Sequence, residues 1–346
     1  MTNDLPPFLP TGVGSLPHTD PDRATALVLS AFPEVPCWPQ LPRRSSLENM
    51  YAQFAAGLPG TVLDEERLVV EGGDAVMADA EAFYERFLSE ELASFAIPAE
   101  RAAGLHRFIE TARGPYPAVK GQVTGPVSFG LMITDRMKKP LFYDPVGRDL
   151  LVKHLLRVAQ WQVAALSRVS PNVILVLDEP YLASVGSAVL SLGRDEVTGC
   201  LDEIFDGLPG ALCGVHCCAN TDWGLVLSSG VKYLSFDAYG YAESLLLYPE
   251  EVKAFLVRGG KLALGIVPTS AEGVRSESAE SLADRMGSLL RKFGARGIPP
   301  EAVIRASFLT PACGLGTLPE EEAERAVRLT VELSALLRRR HGGALT

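Results

Sequence analysis

Eight short runs of apolar and β-branched residues, each followed by a stretch with helical spacing, recur along this chain and restrict what it can fold into. The runs are residues 11–15, 35–40, 118–123, 173–177, 211–216, 233–236, 262–266 and 303–306. Helix-like patterns cover 21–30, 47–56, 79–92, 99–113, 145–167, 195–205, 221–228, 249–257, 279–293 and 319–339. Strands separated by crossovers of about a dozen residues or more pair in parallel, because a hairpin would need only a tight turn. The alternation therefore predicts an α/β protein with a parallel sheet. Eight repeats predict closure into a (β/α)8 TIM barrel, since a doubly wound sheet usually stops at five or six strands and opens with a glycine-rich turn. Residues 50–117, between the second and third runs, read as extra helices on a single domain covering 1–346. The last helical pattern opens on Pro319 and four glutamates and closes on three arginines and Gly342, which suits the helix dipole.

Charge narrows the choice of partners. Asp and Glu number 42 against 32 Lys and Arg, a formal charge of −10, and no basic stripe breaks the pattern. Such a surface lacks the footprint for a nucleic-acid backbone or an anionic membrane. The first ten residues carry no signal-peptide pattern and no apolar run approaches bilayer length, so a cytoplasmic location is expected. Six cysteines in 346 residues do not form a disulfide framework, and Cys217 and Cys218 are adjacent and poorly placed to bridge. Reduced thiols are expected.

The chemistry concentrates in residues 213–221, Cys-Gly-Val-His-Cys-Cys-Ala-Asn-Thr. Residues two apart on a strand share a side, so His216 and Cys218 project together at the carboxyl end of the fifth run, where barrels assemble their sites. Imidazole and thiolate suit zinc, and a catalytic zinc takes three protein ligands with one position open. Cys313, in Thr310-Pro-Ala-Cys-Gly-Leu-Gly316 after the last run, is the candidate third ligand. The long separation between the two thiols favours an open catalytic site over a closed structural one. The competing reading makes these cysteines small buried hydrophobes and His216 a hydrogen-bonded core residue. Cys217 points the other way and reads as core; Cys37, Cys200 and Cys213 carry no spacing signal, and His106 and His154 read as helix residues.

Other polar groups end apolar runs. Asp178 and Glu179 close the 173–177 run, where buried carboxylates need a cation, a metal or a substrate amine; the alternative is a solvated pair capping the next helix. Asp237 ends the 233–236 run and could supply a displaceable oxygen ligand or orient a ligating side chain. Residues 11–18, Thr-Gly-Val-Gly-Ser-Leu-Pro-His, let backbone N–H groups approach a carboxylate, but lack a phosphate-loop lysine or a dinucleotide fingerprint. Residues 120–126, Lys-Gly-Gln-Val-Thr-Gly-Pro, form another glycine-bearing strand end that is nonspecific by itself.

In order, Gly14-Ser-Leu-Pro17, Thr124-Gly-Pro-Val127, Asp178-Glu-Pro180, His216-x-Cys218 and Cys313-Gly-Leu315 resemble the catalytic half of the cobalamin-independent methionine synthase family. The resemblance extends to its superfamily of corrinoid methyltransferases and uroporphyrinogen decarboxylase, and covers nearly the whole chain. It implies a (β/α)8 barrel in which Zn2+ lowers the pKa of a substrate thiol, usually homocysteine, for methylation in methionine biosynthesis. It assigns the metal to His216, Cys218 and Cys313. Val13, Gly14 and Ser15 would hold the amino acid, with Asp178 and the adjoining Glu179 at its ammonium group.

The sequence also departs from that pattern. The family's glutamate zinc ligand is best matched by Asp237. A second amino-acid-binding glutamate falls where this chain reads Pro42-Arg-Arg-Ser45, leaving the acidic clamp one member short, and Arg44 would suit a more acidic thiol or a solvated loop. No histidine stands in residues 264–269, where the family has its catalytic one. The family's amino-terminal folate-binding half has no counterpart here. These departures favour a methylated corrinoid (cobalamin) or corrinoid protein over methyltetrahydrofolate as donor. The expected activity is thus zinc-dependent thiol methyl transfer, with Asp178 and Asp237 in catalytic roles. The alternatives are a uroporphyrinogen decarboxylase-like enzyme and a non-catalytic barrel that binds zinc or a corrinoid protein.

Overall fold

The computed structural model of the protein describes residues 5–64, 67–70, 74–89, 91–185 and 192–341. Ten strands are formed among them: β1 (Leu9–Pro10), β2 (Thr61–Asp64), β3 (Arg67–Val70), β4 (Val119–Thr124), β5 (Thr134–Asp135), β6 (Val173–Asp178), β7 (Leu212–Cys217), β8 (Tyr233–Phe236), β9 (Lys261–Val267) and β10 (Ser307–Pro311). Seven make one curled, all-parallel sheet in the order β1-β10-β9-β8-β7-β6-β4. Helices such as Pro145–Leu166 and Glu320–His341 pack against its outer side.

The two edges of that sheet, β1 and β4, are joined through residues 36–40. Single parallel bridges pair Cys37 with Lys120 and Ser15 with Gln40. Lys120 N–H donates to the Pro36 carbonyl at 2.9 Å, and Gln40 N–H donates to the Gly14 carbonyl at 3.1 Å. The expected second strand is thus present as a bridging segment, held by isolated bridges and lacking a continuous ladder.

Alternation along each strand sorts the side chains into two populations. Leu175, Leu177, Val215, Cys217, Leu234 and Leu264 face outward and join the large core under the helices. Leu9, Ala118, Ile174, Tyr233, Ala263 and Phe308 form a separate buried cluster inside the curl. The interior set continues toward the carboxyl ends as polar residues: Lys120 and Gln122 on β4, Asp178 on β6, His216 on β7 and Ser235 on β8. An apolar floor beneath a polar upper layer is what every second position of these strands produces.

Three expectations need correction. Residues 303–306 lie in the helix Pro300–Ala306, and the strand is the next segment, Ser307–Pro311. Proline at the first helical position and Glu301 in the first turn start a helix there, and this outweighs the β-branched pair Val303-Ile304. Regular pairing of the first strand is at Leu9–Pro10, before the expected 11–15, and resumes only at the Ser15 bridge. The insertion after the second segment is not purely helical. It holds an antiparallel β2–β3 hairpin joined in parallel to β5, 3-10 turns at Ser46–Glu48 and Ala52–Phe54 in place of a helix over 47–56, and the helices Asp74–Leu88 and Ala103–Thr111.

The long helices follow their capping residues. Asp144 accepts from the N–H groups of Val146 and Gly147 at the start of Pro145–Leu166. Glu320–His341 opens on three glutamates and closes on Arg338, Arg339, Arg340 and His341, as its charge pattern predicts. Among the described residues, no helix is long and apolar enough to cross a membrane.

Candidate metal centre

His216 is the penultimate residue of β7, Cys218 follows the strand, and Cys313 lies two residues beyond β10. One ligand atom from each lies within 4.8 Å of the other two. Strand register explains the convergence. His216 is aligned with Asp178 on one side and with Ser235 on the other, and all three point inward. The Glu179 N–H donates to the His216 carbonyl at 2.8 Å and locks the ends of β6 and β7 together.

The imidazole is held by one nitrogen and open at the other. Nδ1 lies 2.8 Å from Ser235 Oγ, whereas Nε2 is buried without a hydrogen-bond partner. A ring fixed through Nδ1 with a bare, buried Nε2 beside two thiols is the arrangement in which histidine ligates a metal. The donor set of one nitrogen and two sulfurs fits zinc, with a fourth position left over. The residues present therefore fit the ion that the motifs imply.

Electrostatics act in the same direction. Contacts from Cys313 and His216 hold the Cys218 thiol well below its ordinary range, and the same Cys218 contact, with burial, pushes the Cys313 thiol up. Burial raises the Asp178 carboxyl to about 6, opposed by the charges of His216 and Lys120. Asp178 is 8% exposed and its Oδ1 has no partner. Asp237 lies outside the three-ligand cluster. Burial raises its carboxyl, and Oδ1 accepts from the Gly240 N–H at 2.6 Å. The charges of Cys218 and His216 both act on it, so it flanks the cluster.

A cavity of about 680 Å³ opens over these groups. Val13, Ser15, Asp178, His216, Cys218 and Cys313 all line it, so most of the expected site converges. Gly14, between the lining residues Val13 and Ser15, is not itself in the cavity lining: its φ of 151° suits glycine, and an added Cβ would come within 2.8 Å of the Gln122 amide. The 13–15 loop interlocks with the Cys313 loop. Leu315 N–H donates to the Ser15 carbonyl at 2.9 Å, Gly316 N–H donates to Ser15 Oγ at 3.3 Å, and a Cβ on Gly314 would strike that Oγ at 2.1 Å.

Glu179 is placed differently from Asp178. It accepts from the N–H groups of Val127 and Ser128 at 2.9 and 2.8 Å and from Ser128 Oγ at 2.6 Å, so it caps the helix Pro126–Met132 and does not line the cavity. The pair is thus neither solvated nor capping the next helix: Glu179 is buried against an earlier one, and of the two carboxylates only Asp178 lines the cavity.

Sequence reasoning missed Glu48. It is 1% exposed, lines the cavity, accepts from Arg44 Nη1 at 2.7 Å through Oε1, and has an unpartnered Oε2. A second carboxylate besides Asp178 therefore lines the cavity, from the 3-10 turn just after residues 42–45. Arg44 is its ion-pair partner, and Arg43 donates to the Thr317 carbonyl at 2.7 Å. The only sequence signal was the four-residue spacing of Arg44 and Glu48. Among residues 264–269, Thr269 reaches the cavity wall.

Fold and site together define a parallel α/β chain with a His-Cys-Cys cluster at the carboxyl ends of its strands. No protein-family model and no curated protein sequence matches the chain. Solved structures do match over nearly its full length. A B12-independent methionine synthase from a Shewanella species, in complex with selenomethionine, is 16% identical with a TM-score of 0.62, covering 97% of this chain and 99% of that one. A putative B12-independent methionine synthase from Listeria monocytogenes is 13% identical with a TM-score of 0.60, covering 96% and 99%. A methyltransferase from Methanosarcina mazei is 14% identical with a TM-score of 0.54, covering 96% of each chain. The fold is shared with the family that the motifs resemble. Two of these neighbours are named as B12-independent, and none of the three names gives support to a corrinoid partner.

Proposed function

We propose that the protein is a zinc-dependent methyltransferase acting on a small thiol, homocysteine first, in a single-domain (β/α)8 barrel. The observation that carries this reading is the convergence of His216, Cys218 and Cys313 within 4.8 Å beneath the cavity, with His216 Nε2 buried and unpartnered. A zinc ion there supplies Lewis acidity that makes an acceptor thiol a thiolate at neutral pH.

The surrounding residues have complementary tasks. Ser235 fixes the His216 ring through Nδ1. Asp178 and Glu48 offer carboxylate oxygens without partners to an acceptor's ammonium group. The backbone of residues 13–15 faces its carboxylate. Asp237, at the corresponding strand end on β8, is the displaceable oxygen group flanking the cluster. In the transfer, the acceptor releases its S–H proton to solvent, the S–CH3 bond forms as the methyl–donor bond breaks, and the donor keeps the bonding pair.

The corrinoid-donor reading rests on sequence alone, and the absence of a histidine from residues 264–269 is consistent with it. A decarboxylase reading needs cationic side chains converging on an anionic substrate. Among the described residues the cavity wall carries one arginine, Arg43, already bound to Thr317. The test is methyl transfer by the zinc-loaded protein from methyltetrahydrofolate or methylcobalamin to homocysteine, cysteine and 2-mercaptoethanol. S-methylation with either donor supports the reading; no product with any pair refutes it.

A further inference from the structure

The buried Lys120 has no part in the proposed methyl transfer. Lys120 is 1% exposed and sits on the inner face of β4, one alternation above Ala118 of the apolar floor. An ammonium group in that position is costly unless it does something an apolar side chain could not. Its Nζ donates to the Val13 carbonyl at 2.6 Å and to Gln122 Oε1 at 3.3 Å. Val13 belongs to the loop after β1, so this contact ties the barrel interior to the cavity wall.

Two more interior side chains support the same loop from below. Gln122 Nε2 donates to the Trp38 carbonyl at 3.2 Å, and its amide packs where a Cβ on Gly14 would stand. Gln40 binds the Gly14 carbonyl through its backbone N–H and Gln53 through its side chain at 2.8 Å. The loop therefore rests on a buried polar plug whose charged member is Lys120. None of the three plug side chains is among the metal-type ligands.

We propose that Lys120 is a positioning residue that sets affinity for the amino-acid head of the acceptor by holding residues 13–15, independently of the metal cluster. Without the ammonium, the Val13 carbonyl loses this charge-assisted donor and the loop its anchor, while His216, Cys218 and Cys313 keep their supports. Loss should be confined to acceptors that carry a head group.

The inference rests on the proposed function, and the experiment separates the two. The full chain is loaded with Co(II), and thiol binding is read from the change in cobalt–thiolate absorption. Homocysteine carries the head group; 2-mercaptoethanol does not. In Lys120→Met, homocysteine should bind about tenfold or more weakly, while 2-mercaptoethanol stays within about twofold of the native protein. Gln122→Leu, which removes the ammonium's second acceptor, should lower the same affinity ratio and provides a reading if Lys120→Met does not fold. An unchanged ratio in the variants that fold, with the native spectra intact, overturns the role of Lys120 alone. No thiol-dependent change in the native protein overturns the proposed function and this inference with it.

Discussion

Ser235 offers the sharpest test of how the fold prepares the cluster. It is 2% exposed, aligned with His216 across the β7–β8 ladder, and lies 2.8 Å from His216 Nδ1. With Nε2 reserved for the metal, Nδ1 carries the proton and donates to Ser235 Oγ. Ser235→Ala leaves that N–H buried without an acceptor, at a cost of about 1–3 kcal/mol. Partners of this kind typically govern about 10–100-fold of metal affinity, which is about 1.4–2.7 kcal/mol and agrees with that range. Zinc affinity would be measured by competition with a chromophoric chelator, after thermal unfolding has established that the metal-free variant is folded. Ser334→Ala is the control, since Ser334 is buried and bonds the Phe8 carbonyl at 2.6 Å, just before β1 and away from the carboxyl strand ends that carry the cluster, and should cost stability without changing zinc affinity. Equal zinc affinity in native and Ser235→Ala proteins, both folded, would refute the assignment of Nδ1 to Ser235 and Nε2 to the metal.

Two further outcomes follow from buried groups. Glu48→Gln removes a cavity carboxylate whose Oε2 is unpartnered, so homocysteine binding should weaken about tenfold, while 3-mercaptopropionate, which has no ammonium, should be unaffected in the same cobalt titration. His154 is fully buried, lies 2.7 Å from the Phe54 carbonyl through Nε2, and is pushed down to about 4 from 6.5 by burial. Between those values the unfolded chain binds a proton that the folded chain does not. Its contribution to stability is therefore full above about pH 6.5 and lost as pH falls toward 4, amounting to about 3 kcal/mol. Urea unfolding at pH 7.5 and 4.5 should show a smaller difference in His154→Gln than in the native protein; an unchanged difference would count against a neutral buried His154.

Much of this was legible because barrel strands repeat a simple rule. Period-two alternation alone puts His216 and Cys218 on one side, and Val173 to Leu177 reads as a strand because every residue in it is apolar up to the carboxylate of Asp178. The sequence did not distinguish Asp178 from Glu179, since which carboxylate faces the cavity depends on the N-terminus of Pro126–Met132 arriving beneath Glu179. Glu48 was invisible for a related reason. It sits in a short 3-10 turn with no periodicity, and only the packing of that turn over the strand ends turns it inward. Val303-Ile304 misled because β-branched residues tolerate a helix once Pro300 has set its first turn. Lys120 stands in the sequence only as part of a glycine-bearing segment, since its partner Val13 lies 107 residues away.

The central claim is that His216, Cys218 and Cys313 form a metal centre. Its most direct test is elemental analysis of the purified protein beside the double variant Cys218→Ser, Cys313→Ser. About one equivalent of zinc per native chain and none in the variant is the expected result. No zinc in the native protein, even after reconstitution with excess metal, would return the three residues to a buried histidine and two thiols and contradict the account.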